Sequence, residues 1–310
     1  MSDEVTRRQA LAAIGGAALL AREARGQAAA EKLGGPKAGE AAQVHKTPMV
    51  CCFSQNLAKI PYAELGNIAA QIGYDGVDLT VMDGGHVNPR ITNVDLVRAI
   101  ESVRGAAIEV PMITTTLTSP SDPTLYPILA ITGHTQVHLY RTGFWPWGYM
   151  PDLARRTAEI RSDLINLLAV GKQYEMTAMI PNRAGGYFGE AVWDANTVVS
   201  TLDPNLIGYY FDPSQTAAWE QALLLARPRL KAVAVQDYYF EKSGKAWVRK
   251  PCPLGEGLVD WELFFRILAQ SRFAGPLSIH YEYQQQDSLS ALTKDLEFVR
   301  KQIQTAWGVT

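Results

Sequence analysis

The sequence predicts a single closed barrel of eight parallel β-strands, each followed by a helix. From Met49 onward, short apolar runs alternate with amphipathic helical stretches, which is the pattern of a β/α barrel. Several of these runs are hydrophobic almost throughout, as expected for parallel strands buried on both faces. An open doubly wound sheet is the alternative, but it favours a glycine-rich turn after the first strand. This chain has Phe53-Ser54-Gln55-Asn56-Leu57 there.

The eight predicted strands alternate with helices that have apolar residues at spacings of three and four. The strands are Met49–Ser54, Gly76–Val81, Ala107–Thr114, Gln136–Arg141, Thr177–Asn182, Ile207–Asp212, Ala232–Asp237 and Pro276–Tyr281. The clearest helices are Tyr62–Ile72, Leu153–Tyr174 and Val259–Ser271, the last beginning at Asp260. We therefore expect residues 47–310 to form one barrel domain.

The amino terminus has the pattern of an export signal. Thr6-Arg7-Arg8-Gln9-Ala10-Leu11 leads into the apolar run Ala10–Leu20, and a paired arginine before such a run resembles a twin-arginine signal. The run is shorter than the roughly 20 residues that span a bilayer. We expect a signal segment at 1–30, a linker at 31–46, a periplasmic or other extracytoplasmic location, and no stable membrane anchor after signal removal. A plain amphipathic helix is the alternative, which Gly15-Gly16 disfavours.

Composition and charge point to a small-molecule partner. Hydrophobic residues make up 47% of the chain, charged residues 19%, and the net charge is −2. No basic stripe is present to hold a nucleic-acid backbone, so we expect no nucleic-acid partner. The three cysteines are interpreted as small apolar residues, because adjacent Cys51 and Cys52 would form only a strained disulfide.

Polar residues cluster where the predicted strands end, which in a β/α barrel is the position of the active site. Asp212 and Glu282 are the strongest candidates, because each ends an apolar strand and buried charge is costly unless compensated. His86 is the third catalytic candidate, because it follows Gly84-Gly85, which would let the backbone approach a ligand. The other candidates for substrate binding are Asn182, Arg183, Gln215, His138, Arg141, Trp145 and His280.

Some of these residues have a structural interpretation as well. His138 and His280 alternate with apolar neighbours and are equally consistent with core histidines. Trp145, Trp147 and Tyr149 would either stack on a sugar face or pack as a loop over the barrel.

The chain resembles the sugar phosphate isomerase/epimerase family, whose fold is the xylose-isomerase-like TIM barrel, from about residue 49 to 306. The segments that carry the resemblance are Gly76-Val77-Asp78-Leu79-Thr80-Val81, Gly84-Gly85-His86-Val87, Phe211-Asp212-Pro213, Pro253-Leu254-Gly255-Glu256-Gly257-Leu258-Val259-Asp260-Trp261 and Gly275-Pro276-Leu277-Ser278-Ile279-His280-Tyr281-Glu282-Tyr283. The resemblance implies a divalent metal, manganese or magnesium, held by two glutamates, an aspartate and a histidine. It also implies proton transfer by the glutamates between adjacent sugar carbons.

This chain departs from the family's ligand set. Asp212 and Glu282 occupy two ligand positions, and Asp237 is nearby as a third carboxylate. The fifth strand has no glutamate where the family has its first, and Gln215 stands where a histidine is expected. Either a histidine among His86, His138 and His280 replaces a ligand or a base, or the metal has been lost.

The sequence therefore supports an exported isomerase, epimerase or related lyase that moves a proton next to a carbonyl of a sugar or keto-sugar. The alternative is a catalytically silent sugar-binding barrel that has lost the metal site. An endonuclease of the same barrel type is disfavoured, because it needs several metal-binding histidines and a basic groove. A homo-oligomer is compatible with the resemblance.

Overall fold

The computed structural model describes residues 47–149, 152–283 and 288–309. Ten strands occur in this part of the chain. They are β1 (Val50–Phe53), β2 (Gly76–Val81), β3 (Glu109–Thr115), β4 (Leu139–Arg141), β5 (Thr177–Pro181), β6 (Ile207–Phe211), β7 (Leu230–Val235), β8 (Asp237–Ser243), β9 (Ala246–Cys252) and β10 (Leu277–Ile279). Strands β1 to β7 and β10 form a closed parallel barrel. The barrel closes where Val50 of β1 pairs with Leu277 of β10. The predicted eight-stranded β/α barrel is confirmed.

Helices follow the barrel strands. They are α1 (Tyr62–Ile72), α2 (Thr92–Gly105), α3 (Leu125–His134), α4 (Leu153–Gln173), α5 (Trp193–Val199), α6 (Trp219–Ala226), α7 (Trp261–Gln270) and α8 (Ser288–Trp307). Helix α1 has the predicted bounds, and α4 ends one residue earlier than predicted. The Asp260 carboxylate caps α7 by accepting a hydrogen bond from the Leu263 backbone N–H, as its position before the apolar run indicates.

The core has two parts. A large cluster of aliphatic and aromatic side chains joins the strands to the helices that surround them. A small cluster fills the barrel interior, formed by Met112, Met179, Tyr210, Ala232 and Ala234. The three cysteines are buried free thiols, as predicted.

Strands β8 and β9 form an antiparallel hairpin between β7 and α7, outside the barrel. Ser243 pairs with Ala246, so the hairpin turns through Gly244 and Lys245. Gly244 has φ +60°, a conformation that glycine adopts without steric cost. The sequence analysis did not predict this hairpin, and it forms one wall beside the barrel mouth.

The described residues of 47–309 belong to one compact unit, whereas the predicted signal and linker lie outside the described residues. Within the part of the chain that the structure describes, no helix is long and apolar enough to cross a membrane.

Candidate active site

A cavity of about 670 Å³ opens at the carboxyl ends of the barrel strands; we call it the mouth cavity. Seven predicted site residues line it: Arg141, Asn182, Arg183, Asp212, Gln215, His280 and Glu282. The other polar or aromatic lining residues include Phe53, Gln55, Thr116, Phe144, Tyr210, Gln236 and Arg249. The loops after β1, β4, β5, β6, β7 and β10 and the hairpin therefore converge on one space.

Asp212 is a buried carboxylate in the wall of the mouth cavity. Its Oδ1 accepts hydrogen bonds from the Ser214 backbone N–H at 2.8 Å and the Ser214 hydroxyl at 2.6 Å. Its Oδ2 accepts a hydrogen bond from the Gln236 amide. Burial raises the pKa of Asp212 to about 6, although these hydrogen bonds and the charge of Arg249 oppose the rise. A carboxyl with such a pKa exchanges a proton readily near neutral pH.

Asn182 fixes the backbone that presents Asp212. The Asn182 side-chain amide donates to the Asp212 carbonyl oxygen and accepts from the Asp212 N–H, each at 2.8 Å. Gln215 has a similar role in the loop after β6, because its Oε1 accepts from the Ala184 backbone N–H at 3.2 Å. Both amides therefore tie the β5 loop to the β6 loop.

His280 is held at the end of β10 by two aromatic residues. Its ring stacks on Phe53 with a centroid distance of 3.9 Å and an interplanar angle of 3°. Its Nε2 lies 2.7 Å from the Tyr210 hydroxyl. Burial, together with the charge of Arg141, lowers the pKa of His280 to about 3. The imidazole is therefore neutral near pH 7 and acts as a hydrogen-bonding group rather than a cation.

Asp78 lies below this layer and is fully buried. It accepts hydrogen bonds from Thr114 and Ser278 at 2.8 Å, and from the Tyr210 hydroxyl at 3.4 Å. Burial raises its pKa. Asp78 thus joins four barrel strands and supports the Tyr210–His280 pair from beneath, which is a positioning role.

Three buried polar atoms of cavity-lining side chains have no hydrogen-bond partner in the described residues: Gln55 Oε1, Gln236 Oε1 and Arg249 Nε. Buried polar atoms are nearly always satisfied in folded proteins. A hydroxyl-rich ligand would satisfy both amide oxygens by donating to them.

The structure does not bring His86 to the mouth cavity. Its Nε2 lies 3.1 Å from the Ile60 carbonyl oxygen, and its backbone N–H donates to the Thr80 hydroxyl at 3.0 Å. A Cβ on Gly85 would come within 2.9 Å of that same hydroxyl. The glycine is therefore required for packing on Thr80, not for approach to a ligand.

His138 and Trp145 also lie away from the lining of the mouth cavity. Strand β4 begins at Leu139, so His138 precedes it and lies at the amino end of the barrel, where its Nδ1 is 3.2 Å from the Glu175 carbonyl oxygen. The predicted strand began three residues too early, so His138 was assigned to the strand and to the carboxyl-end site, whereas it lies at the amino end of the barrel. Trp145 is buried, and its indole N–H donates to the Thr118 carbonyl oxygen at 3.0 Å. It therefore packs within the loop over the barrel and does not line the mouth cavity.

Asp237, predicted as a third metal ligand, organises the hairpin and the following loop. Its carboxylate accepts hydrogen bonds from five N–H groups: the backbone of Tyr238, Gly255, Gly257 and Val259 and the indole of Trp261. These donors occupy both oxygens, and Asp237 does not line the mouth cavity. Its position one residue beyond Gln236 places it on the other side of the chain.

The side chains of the mouth cavity do not fit the divalent metal that the resemblance implies. Both oxygens of Asp212 already accept hydrogen bonds, and the neighbouring positions carry the amides of Asn182, Gln215 and Gln236. The lining also includes three guanidinium groups, which would repel a cation. Among the residues that the structure describes, no group of three or more His, Cys, Asp or Glu side chains could hold a metal ion.

Arg249 and Tyr210 are site residues that the sequence analysis missed. Arg249 lies on β9, and the alternating segment around Gly244 was the available signal for a hairpin there. Tyr210 lies in the middle of an apolar strand, where a tyrosine is indistinguishable from a core aromatic residue until the barrel places its hydroxyl beside His280.

A second depression of about 660 Å³ adjoins the mouth cavity; we call it the side groove. Ala184, Gln215 and Arg249 line both. Its remaining wall is largely apolar and includes Trp147, Leu153, Tyr238 and Phe240. Trp147 therefore faces this groove rather than the mouth cavity.

Solved structures with the same architecture share little sequence with this chain. A xylose isomerase-like TIM barrel protein from Mycobacterium smegmatis, solved with magnesium, is 12% identical with a TM-score of 0.66, covering 86% of this chain and 99% of that one. A 3-keto-D-glucoside 4-epimerase from E. coli is 13% identical with a TM-score of 0.66, covering 82% and 99%. A D-allulose 3-epimerase from Methylomonas sp., solved with D-allulose, is 13% identical with a TM-score of 0.65, covering 85% and 100%.

At such identities these structures show the shared fold. No curated protein sequence matches the chain. The family model described as xylose isomerase-like TIM barrel matches residues 66–302, which is most of the sequence and nearly all of the barrel. The chain belongs to the xylose isomerase-like TIM barrel family.

Proposed function

We propose that the protein transfers a proton at a carbon next to a carbonyl group of a sugar or keto-sugar, as an isomerase, epimerase or related lyase. The observation that carries the proposal is the position of Asp212, a buried carboxyl facing a cavity with unpaired amide and guanidinium atoms. The structural neighbours that are sugar epimerases support the same class of reaction.

In the proposed reaction Asp212 accepts the proton from carbon. It is the buried carboxyl of the mouth cavity, and its pKa of about 6 leaves it mainly ionised near pH 7. Glu282 is the second carboxyl of the cavity and is exposed to solvent. It would take up a proton from water and deliver that proton to the opposite face of the carbon or to a leaving group, while the proton on Asp212 returns to solvent. Gln236 and His280 would orient the sugar hydroxyl groups.

The negative charge that develops on the carbonyl oxygen needs a stabilising group. The family resemblance implies a divalent metal for this purpose, but the donor set described above does not fit one. Arg141, Arg183 and Arg249 line the same cavity, and a guanidinium donor performs this electrostatic task in other active sites. We therefore assign the stabilisation to the arginines.

Solvent exchange tests the proposal directly. A panel of aldoses, ketoses and 3-keto-sugars is incubated with the full chain in D₂O, and deuterium incorporation next to the carbonyl is followed by NMR. We expect incorporation that is lost in Asp212→Asn and strongly reduced in Glu282→Gln. Glu297→Gln, on the exposed surface of α8, is the matched control and should exchange like the wild type.

Two outcomes contradict the proposal. Undiminished exchange in Asp212→Asn would reject the assigned proton acceptor. Saturable sugar binding without any exchange would instead support the catalytically silent binding barrel, which the lack of a fitting metal donor set favours.

We also propose export by the twin-arginine route, which is supported by Arg7 and Arg8 before an apolar run. Cell fractionation of the wild type and of an Arg7→Lys, Arg8→Lys double variant tests it. The variant should stay in the cytoplasm; equal distribution of both proteins would contradict export by this route.

A further inference from the structure

Arg141 is a buried cation at the base of the mouth cavity. It ends β4, and its residue is only 7% exposed. Its Nε donates one hydrogen bond, to the Thr114 hydroxyl at 3.3 Å. In residues 47–149, 152–283 and 288–309, no carboxylate lies within ion-pair distance of its guanidinium. A guanidinium carries five N–H donors, so most of its hydrogen-bonding capacity is left for a ligand.

Aromatic rings hold the Arg141 guanidinium in place. Its central carbon lies 4.8 Å from the Phe144 ring centroid and 5.7 Å from that of Tyr210. Arg183 approaches the same Phe144 ring at 4.5 Å. Two guanidinium groups therefore share one aromatic ring, although like charges repel and neither has a carboxylate partner in the described residues. Water solvates the exposed Arg183, whereas the buried Arg141 guanidinium would be stabilised by an anion that reaches it from the cavity.

A third guanidinium enters from the hairpin. Arg249 Nη2 donates to the Ser214 hydroxyl at 2.8 Å, while its buried Nε has no partner in the described part of the chain. Its guanidinium lies 4.7 Å from the Tyr238 ring centroid. Three arginines thus reach one cavity from three different segments: β4, the loop after β5, and β9.

The charges of the lining do not balance. Against the three guanidinium groups of the lining stand two carboxylates, Asp212 and Glu282, and His280 contributes no charge near neutral pH. Asp78 lies beneath the lining and attracts Arg141, with which it shares the Thr114 hydroxyl. On the lining itself guanidinium groups therefore outnumber carboxylates by one, and the hydrogen bonds of Asp78 go to Thr114, Ser278 and Tyr210 rather than to an arginine. A carboxylate on the substrate would pair with the guanidinium donors that face the cavity without an ion-pair partner, because it matches the planar fork of a guanidinium.

We infer that the substrate of the mouth cavity is an acid sugar, a uronate or aldonate, whose carboxylate is bound by Arg141 with Arg183 and Arg249 nearby. The inference deepens the proposed function and rests on it, because it names the substrate class of the same cavity. A sugar phosphate offers the same anionic oxygens with a larger charge, and the experiment separates the two.

Isothermal titration calorimetry with the full chain tests the inference without requiring turnover. The probes are D-glucuronate and D-gluconate, which carry their carboxylates at opposite ends of the sugar, with D-glucose and D-glucose 6-phosphate for comparison. We expect at least one of the two acids to bind about tenfold or more tightly than D-glucose. It should also bind more tightly than D-glucose 6-phosphate.

Charge-removing variants locate the binding group. Arg141→Gln should lower the affinity for the preferred acid by about tenfold or more, and the affinity for D-glucose by much less. Arg161→Gln, on the exposed surface of α4, is the matched control and should bind like the wild type. If Arg141→Gln fails to fold by circular dichroism, the exposed Arg183→Gln replaces it and should lower the acid preference by a smaller factor.

Four results would overturn the inference: no binding of either acid, equal affinity for acid and D-glucose, tighter binding of the phosphate, or an unchanged preference in the arginine variants. Binding and solvent exchange together distinguish failure of this inference from failure of the proposed proton transfer. Acid binding without solvent exchange would keep the inference and reject proton transfer, whereas exchange on neutral keto-sugars without any acid preference would do the reverse.

Discussion

The pKa of Asp212 makes the stability of the protein depend on pH in a direction that a single substitution can isolate. Burial raises this pKa from an ordinary value of 3.8 to about 6. The native state therefore binds a proton more tightly than the unfolded chain. The stabilising contribution of the protonated carboxyl is complete below the unfolded pKa and is lost as the pH rises through about 6.

The shift of about 2 pKa units corresponds to about 3 kcal/mol between the protonated and ionised states. In Asp212→Asn the side chain can no longer ionise, so this pH-dependent loss disappears. The new amide still accepts the two hydrogen bonds from Ser214, and Gln236 can turn its unpartnered oxygen toward the amide N–H groups. We therefore expect the variant to gain stability relative to the wild type as pH rises.

Urea unfolding at a series of pH values from about 4 to about 7.5 measures the difference. The free energy of unfolding of Asp212→Asn minus that of the wild type should increase by about 2.4 kcal/mol across this range, because part of the full change already occurs below about pH 4, and its midpoint should lie between the two pKa values. Asp203→Asn, at an exposed turn, controls for the loss of a surface carboxylate. A difference that stays constant with pH would refute the argument that Asp212 is destabilised as an anion.

Two further predictions test the environment of His280 and the turn around Asp237. Because the pKa of His280 is lowered to about 3, its imidazole resonances should not titrate between about pH 5 and pH 8. Long-range ¹H–¹⁵N NMR, assigned with His280→Gln, checks this, and a midpoint near 6.5 would contradict it. Gly257→Ala should lower the free energy of unfolding by about 2–4 kcal/mol, because its Cβ would collide with the Asp237 carboxylate and the Tyr238 carbonyl. Gly105→Ala, which meets open space, should be nearly neutral in urea unfolding, and equal effects of the two substitutions would contradict the steric argument.

The fold was predictable because each buried strand appears in the sequence as a short run of apolar residues. The run Gly76–Val81 is buried at every position, and its bounds agree with the prediction. Helix α7 was likewise located by Asp260 and the apolar spacing that follows it. Hydrophobic period and capping are local properties, so one segment suffices to identify each element.

The site was predictable only where a residue's position along its strand decided its role. Asp212 and Glu282 follow strand ends and line the mouth cavity. Asp237 also follows a strand, yet its neighbour Gln236 lines the cavity instead, because adjacent side chains point in opposite directions. His138 was misplaced by an error in one strand boundary, and boundaries are the least certain feature of a pattern-based prediction.

The hydrogen-bond polarity of the residues around Asp212 determines what the mouth cavity can bind. A metal site surrounds its cation with lone pairs, whereas Asp212 is surrounded by N–H and O–H donors from Ser214 and Gln236. Carboxylates that accept such donors are satisfied without a cation. The positive charge at this end of the barrel comes from the arginines instead. Their N–H groups are also directional hydrogen-bond donors, which a carboxylate or an enolate oxygen requires.

This polarity predicts that divalent metals do not stabilise the protein. If the wild type bound Mn²⁺ in the folded state only, adding the metal at 100 times its Kd would raise the free energy of unfolding by about 2.7 kcal/mol. We expect no such increase with Mn²⁺ or Mg²⁺, and no decrease on treatment with a chelator. The measurement is urea unfolding of the full chain with each metal, alongside Asp212→Asn. A metal-dependent increase in the wild type that is lost in the variant would show that Asp212 exchanges its hydrogen bonds for a cation, and would require the proton-transfer step to be derived anew with a metal in place of the guanidinium groups.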